Sequence, residues 1–305
     1  MPAYRILALY QFVALPDHAA LCERLRGLCE QAGLCGTLLL AAEGINGTVA
    51  GSESGTQALL DALAADGRFT ALNLKQSWAD SAPFHRLKVR SKAEIVTMGR
   101  PEVDPAALNG TRLNAEQWNA LLDEPDVVLI DPRNDYEVAV GRFPGALDPG
   151  TRRFRDFPDF VARELDPQTQ PRIAMYCTGG IRCEKASHYL LRQGFEEVYH
   201  LDGGILQYLE DVPAAQNRWQ GECFVFDGRV SVDAQLRPGV YSQCHSCRHP
   251  LGPQDREHPD YSAGECCAHC VDRATPERRA RLAERERQVR LAAERGEAHI
   301  GRKDR

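Results

Sequence analysis

Apolar and polar positions change rhythm several times along the chain, and each change predicts an element. YRILALYQFVA at the amino end is a short, densely apolar run that predicts a strand. PDHAALCERLRGLCEQAG then spaces Leu21, Leu25, Leu28 and Cys29 so that they share one face of a helix. CGTLLLAAEGINGTVAG predicts two strands around a turn, with Asn46-Gly47 supplying residues that tolerate positive φ. SESGTQALLDALAADG predicts a second helix, and Asn73 to Ser77 open a further strand. Strand-helix-strand-strand-helix-strand over residues 1–100 predicts a ferredoxin-like (acylphosphatase-like) α+β domain. Cys22, Cys29 and Cys35 fall inside these elements and read as small core residues.

Beyond this domain the texture alters. Residues 101–122 are mixed, with NAEQWNALL as a short helix, and read as a linker. Over residues 123–217, VVLID, RIAMY and VYHLD are near-continuous apolar runs, as strands buried on both faces require. FRDFPDFVAREL and CEKASHYLLRQ alternate with them as helices, which predicts an α/β domain on a parallel sheet. Residues 218–305 read as a cysteine-rich segment followed by a charged helical tail. From Pro276 onward ten Lys+Arg stand against six Asp+Glu, a balance of +4. That composition predicts a solvated helix, with a nucleic-acid arm as the second reading.

Composition narrows the class. A chain of 305 residues exceeds one compact core and predicts two or three domains. No run approaches the roughly 18–20 apolar residues of a membrane span. The opening residues lack a basic stretch and a small-residue cleavage site, so the expected location is the cytoplasm. There, eleven cysteines are expected as metal ligands or catalysts rather than as a disulfide framework. A net charge of −6 excludes a uniformly basic nucleic-acid binder but not a local basic track.

The strongest chemical signal is Cys177, which follows the predicted strand RIAMY at the head of Cys177-Thr178-Gly179-Gly180-Ile181-Arg182. In a parallel sheet, ligands bind at the carboxyl ends of strands. Gly179 and Gly180 let backbone amides turn inward, and with the following helix start they predict an anion nest. A sulfur in such a nest is favoured as thiolate. Arg182 either adds fixed positive charge or ties the loop down. Cys183, the next residue, is either a helix-face packer or a thiol able to resolve an oxidised Cys177.

These residues resemble the rhodanese family. Cys177, Gly180 and Arg182 match C-x-x-G-x-R, and LDGGI resembles the family's L-x-G-G. Asp131, Arg133, Glu137, Gly141 and Pro144-Gly145-Ala146 match its upstream signature, with Asp131 and Arg133 expected as scaffolding. Cysteine phosphatases share the fold, but their C-x5-R loop is one residue longer, which speaks against that activity.

A wider resemblance runs through AEGINGTVAGS, PFHRLKVRSKAEIVTMG, CTGGIRCEKAS, GECFVFDGRV and the terminal C-x2-C pairs. Together these are similar to the bacterial tRNA uridine hydroxylase family. The resemblance implies 5-hydroxylation of the wobble uridine of tRNA, with molecular oxygen as co-substrate and Cys177 as the required cysteine. The loop alone would favour a sulfurtransferase carrying sulfane sulfur as a Cys177 persulfide, and that is the alternative. It leaves open whether Cys177 adds directly to the base or acts as persulfide or sulfenate. For RNA binding, HRLKVRSK places Arg86, Lys88, Arg90 and Lys92 on one face of a strand at about 6.6 Å intervals. Such a stripe is able to track phosphates; a solvated strand face is the other reading.

Cys244-x2-Cys247 and Cys267-x2-Cys270 form two knuckles, the pattern of a closed tetrahedral structural zinc site, with Cys266 a spare or a substitute for Cys267. His258-Pro-Asp260 with a further histidine would make a facial iron triad, a weaker pattern. No G-x-G-x-x-G fingerprint for a flavin or nicotinamide is present, and the electron donor is not readable from the sequence.

Overall fold

The computed structural model describes residues 3–273 and 275–296, which divide into two compact units. The larger holds residues 3–228 and 232–237, and within it lie both expected α/β-type domains. The smaller holds residues 229–231 and the described residues from Pro238 onward.

The amino-terminal domain runs β1 (Tyr4–Phe12), α1 (His18–Gln31), β2 (Cys35–Ala41), β3 (Gly44–Gly51), α2 (Glu53–Asp66), β4 (Asn73–Ala79) and β5 (Leu87–Ser91). The sheet order is β4-β1-β3-β2-β5, the expected ferredoxin-like arrangement with β5 added parallel to β2 at one edge. Leu7, Leu9, Leu38, Leu40 and Val49 pack with Leu21, Leu25, Cys29, Leu59 and Leu63 into one core under the two helices. Cys22 and Cys29 are buried there, as small apolar side chains would be. One expectation fails. Asn46-Gly47 lies inside β3, and the chain turns at Ala42-Glu43 instead. Gly47 is needed for closeness rather than for φ: a Cβ there would stand 2.1 Å from the Thr37 carbonyl oxygen.

The second domain begins earlier than the composition suggests. β6 (Thr111–Leu113) and α3 (Ala115–Leu121) lie in the stretch read as a linker, yet β6 pairs parallel with the last strand of the sheet and Trp118 is fully buried. Three residues of strand are too few for periodicity to reveal. The domain continues with β7 (Val128–Ile130), α4 (Asp135–Val138), β8 (Gly141–Arg142), α5 (Phe157–Glu164), β9 (Arg172–Met175), α6 (Ile181–Arg192), β10 (Glu197–Leu201) and α7 (Gly204–Asp211). Its four-stranded sheet, β6-β10-β9-β7, is parallel throughout. The carboxyl boundary also moves: Trp219, Cys223, Val225 and Val232 pack with Phe143, Tyr176 and Tyr208, so residues 218–228 complete this domain's core.

In the smaller unit the described core is the cysteine cluster with Leu251. The helix Pro276–Glu294 is polar on nearly every face, as its composition predicts. Tail residues 297–305 lie outside the described residues. Among the described residues no helix is long and apolar enough to cross a membrane.

Candidate functional site

Cys177 stands where β9 ends, and the chain passes through Thr178, Gly179 and Gly180 before α6 begins at Ile181. Gly180 has φ +96, a conformation that side chains rarely adopt. Its amide N–H donates to the Cys177 sulfur at 3.2 Å. Gly179 has ordinary φ and open space beside it, so only one of the two glycines is required for the turn. The other essential glycine comes from LDGGI: a Cβ on Gly204 would stand 2.4 Å from the Cys177 carbonyl oxygen. The amides of Ile205 and Leu206 instead reach the carbonyls of Cys177 and Thr178 at 2.9 and 3.1 Å, anchoring the loop from α7.

Of the amides expected in the nest, that of Gly180 meets the sulfur. Burial pushes the thiol up, but hydrogen bonds from the Cys183 thiol, the charge of Arg182 and the amides of Cys183 and Arg182 more than reverse this. The result is a value lowered to about 6 from the ordinary 9.0. Other thiols of this unit go the opposite way, because burial dominates: Cys29 is raised to about 11 and Cys223 to about 12.

Arg182 resolves toward tying the loop down. Its Nη1 and Nη2 donate to the two carboxylate oxygens of Glu137 at 2.6 and 2.7 Å, with both side chains buried. Burial disfavours the carboxylate, and the facing guanidinium more than offsets it, holding Glu137 below the usual range. Thr178 Oγ1 joins the same carboxylate at 3.3 Å. Both ends of Arg182 are thus occupied, and it acts on the sulfur by position and field. Asp131 and Arg133 form a second buried pair at 2.6 Å, and Arg133 also donates to the Glu137 and Gly141 carbonyls. These two residues are scaffolding, as their motif suggests.

The sequence did not single out what lies over the loop. Tyr10 of β1 reaches across from the amino-terminal domain, and its hydroxyl would be 2.8 Å from a Cβ on Gly180. That hydroxyl donates to Glu184 Oε1 at 2.8 Å, and Arg112 donates to the same oxygen at 2.9 Å. Burial and the Glu184 carboxylate raise the Tyr10 phenol, keeping it protonated. Beneath this cover Cys177 is 0% exposed. Next along α6, the buried Lys185 ammonium donates to Glu43 at 2.8 Å and to Glu94 at 2.6 Å, both from the amino-terminal domain. The one local signal for Tyr10 is its place in β1, on the face opposite the core residues Leu7 and Leu9.

The basic stripe is only partly a strand. Lys88 and Arg90 lie within β5, whereas Arg86 and Lys92 flank it. Pairing carries one row of side chains from Tyr10 through Asn46 and Leu39 to Arg90. Arg90 and Lys88 therefore occupy the sheet face that presents Tyr10 to the loop, with Arg90 about 14 Å from Tyr10 at the usual strand spacing.

In the smaller unit, Cys244, Cys247, Cys267 and Cys270 bring their sulfurs within 4.8 Å of one another. The Cys244–Cys270, Cys247–Cys267 and Cys267–Cys270 sulfurs are 3.9, 3.7 and 3.9 Å apart. A tetrahedron with metal–sulfur bonds of about 2.3 Å has edges of about 3.8 Å, so the cluster fits a tetrahedral metal. Cys266 turns away toward the Asp260 carbonyl at 3.5 Å, which makes Cys267 the fourth corner. The His258 and Asp260 side chains are exposed and face each other, and no iron triad forms among the described residues.

The comparisons with known proteins agree with this architecture. Residues 4–95 match the family described as UPF0176 acylphosphatase like domain, and residues 114–211 match the rhodanese-like domain. A rhodanese-like domain from Anabaena is 23% identical, covering 36% of this chain and 78% of its own, with a TM-score of 0.30. A tRNA uridine(34) hydroxylase from Agrobacterium fabrum is 51% identical over 98% of this chain and 95% of its own. A tRNA uridine(34) hydroxylase from Teredinibacter turnerae is 50% identical over 99% of this chain and 94% of its own. With half its residues shared along nearly the full length of both relatives, the chain belongs to the tRNA uridine(34) hydroxylase family.

Proposed function

We propose that this chain hydroxylates C5 of the wobble uridine of tRNA in the cytoplasm, with molecular oxygen as co-substrate and Cys177 as the nucleophile. The observation that carries the reading is a buried thiol, its pKa lowered to about 6 and its sulfur met by the Gly180 amide, in a chain 51% identical to a tRNA uridine(34) hydroxylase over 98% of its length. C5 of uridine is a weak nucleophile. Addition of a thiolate to C6 turns the ring into an enolate and loads electron density onto C5, the atom to be oxidised. Because Cys177 is wholly covered, a base reaches it only when the Tyr10–Glu184 contact over the loop opens. Arg182 and Glu137 hold the sulfur in place during that event, since neither depends on the cover. The sulfurtransferase alternative draws no support from the names of the relatives.

Lys88 and Arg90 share a sheet face with Tyr10, which supports reading the stripe as a phosphate track that delivers the anticodon loop beside Cys177. Arg86 and Lys92 extend the stripe at its two ends. The four sulfurs of the smaller unit are proposed to hold one structural zinc. With four thiolates the site is closed, so the ion would supply folding energy and no open position for chemistry.

Three outcomes are expected. First, expression of this chain in a bacterial strain devoid of 5-hydroxyuridine restores that nucleoside in its tRNA, and Cys177→Ser abolishes it while the chain remains folded. Mass spectrometry of digested tRNA is the measurement; absence of the nucleoside with the folded wild-type chain would overturn the reading. Second, replacing Lys88 and Arg90 by Ala lowers the slope of log affinity for tRNA against log salt by about 1.4–1.8, two phosphate contacts' worth. An unchanged slope assigns the stripe to solvent. Third, metal analysis finds one zinc per chain, and Cys247→Ser with Cys267→Ser releases it. A metal-free protein of equal stability would contradict the zinc site.

A further inference from the structure

Hydroxylation with dioxygen places one oxygen atom on carbon and sends the other to water, which takes two electrons and two protons. Two thiols closing to one disulfide release that number of each. The loop holds such a pair. Cys183 sits in the first turn of α6, its amide bonded to the Gly180 carbonyl at 3.0 Å. Both side chains are 0% exposed within one core cluster, and the Cys183 thiol is near enough to help lower the Cys177 thiol. Gly180 offers the Cys177 sulfur an amide, whereas the buried Cys223 thiol points to the Phe224 carbonyl at 3.6 Å.

We infer that Cys177 and Cys183 form a working dithiol that supplies both electrons of the hydroxylation and ends each turnover as a disulfide. The inference rests on the hydroxylase reading above and names the reductant for it. Dioxygen adds at the activated C5, and loss of the C5 proton with departure of Cys177 from C6 leaves a C5–O–O–H group. The Cys177 sulfur then attacks the outer oxygen; the O–O bond breaks, an S–O bond forms, and C5–OH is released. The Cys183 sulfur attacks the sulfenic Cys177; an S–S bond forms, the S–O bond breaks, and hydroxide leaves with the thiol proton as water. The sum is uridine, dioxygen and two thiols giving 5-hydroxyuridine, one disulfide and one water. Only Cys177 meets the substrate, so Cys183 works from under the loop without having to reach the base. Cys177 is lowered, as the sulfur that attacks first should be; Cys183 is raised by burial and by the neighbouring Cys177 charge, and the latter effect ends once Cys177 has become a neutral sulfenic acid.

The test is a thiol-free turnover. Fully reduced full-length protein is freed of external thiol under nitrogen, then mixed with unmodified tRNA in air-saturated buffer. The expected result is one 5-hydroxyuridine per chain, two thiols lost, and a linked Cys177–Cys183 peptide by mass spectrometry. Adding dithiothreitol should restore repeated turnover. With Cys183→Ala the same reaction should leave Cys177 as a sulfenic acid that dimedone traps, and dithiothreitol should again support turnover. Repeated turnover by wild type with no thiol lost, or a Cys183→Ala burst with no dimedone adduct, would overturn the dithiol. Wild type that makes no 5-hydroxyuridine even with dithiothreitol would instead overturn the hydroxylase reading itself.

Discussion

Everything at the site depends on the buried ion pair between Arg182 and Glu137. Two charges taken out of water are costly, and only close, bidentate geometry offsets that cost. Once formed, the pair is hard to loosen, because removing one partner strands the other and costs roughly 3–5 kcal/mol. Glu137 comes from the short helix after β7 and Arg182 from the first turn of α6. Their bond therefore fixes the loop between β9 and α6 from the neighbouring segment. With the loop fixed, the amide of Gly180 meets the sulfur, and the Cys183 thiol and Arg182 charge reverse the burial that would otherwise protonate Cys177. The same burial leaves Cys223 a thiol, for want of such partners.

A second layer joins the amino-terminal domain to this loop. Lys185 is buried and satisfied by two carboxylates of that domain, and Tyr10 closes over Gly180 through Glu184. The first is a multiply satisfied ionic anchor. The second is a single phenol–carboxylate contact, supported by a half-exposed Arg112. The phenol–carboxylate contact stands beside Gly180 of the loop, and the ionic anchor lies further along the helix.

Much of this was legible in the residues. The apolar periods gave both α/β-type domains, and the C-x-x-G-x-R spacing marked the loop in which the Gly180 amide meets the Cys177 sulfur. The knuckle spacing gave the four clustered sulfurs. Some features were hidden for physical reasons. β6 is three residues long and carries no period, so residues 101–122 looked like a linker. Asn46-Gly47 favours a tight turn locally, but Gly47 serves the close approach of β2 and β3. Tyr10, Glu184 and Lys185 act across domains, and no local pattern reports a partner more than ninety residues away. Arg182 was left between two roles, since a sequence does not say which carboxylate a guanidinium meets.

The central claim is that this geometry keeps Cys177 ionised near neutral pH. Its folded value of about 6 lies below the ordinary 9.0, so between the two the folded chain holds a thiolate where the unfolded chain holds a thiol. The stabilisation from this group is then full above about 9 and lost as pH falls through about 6. The direct measurement is the pH dependence of thiolate absorbance near 240 nm in the reduced protein, taken as the difference between wild type and Cys177→Ser. A transition of one thiolate centred near 6 is predicted; a transition near 9, or none below it, would contradict the account.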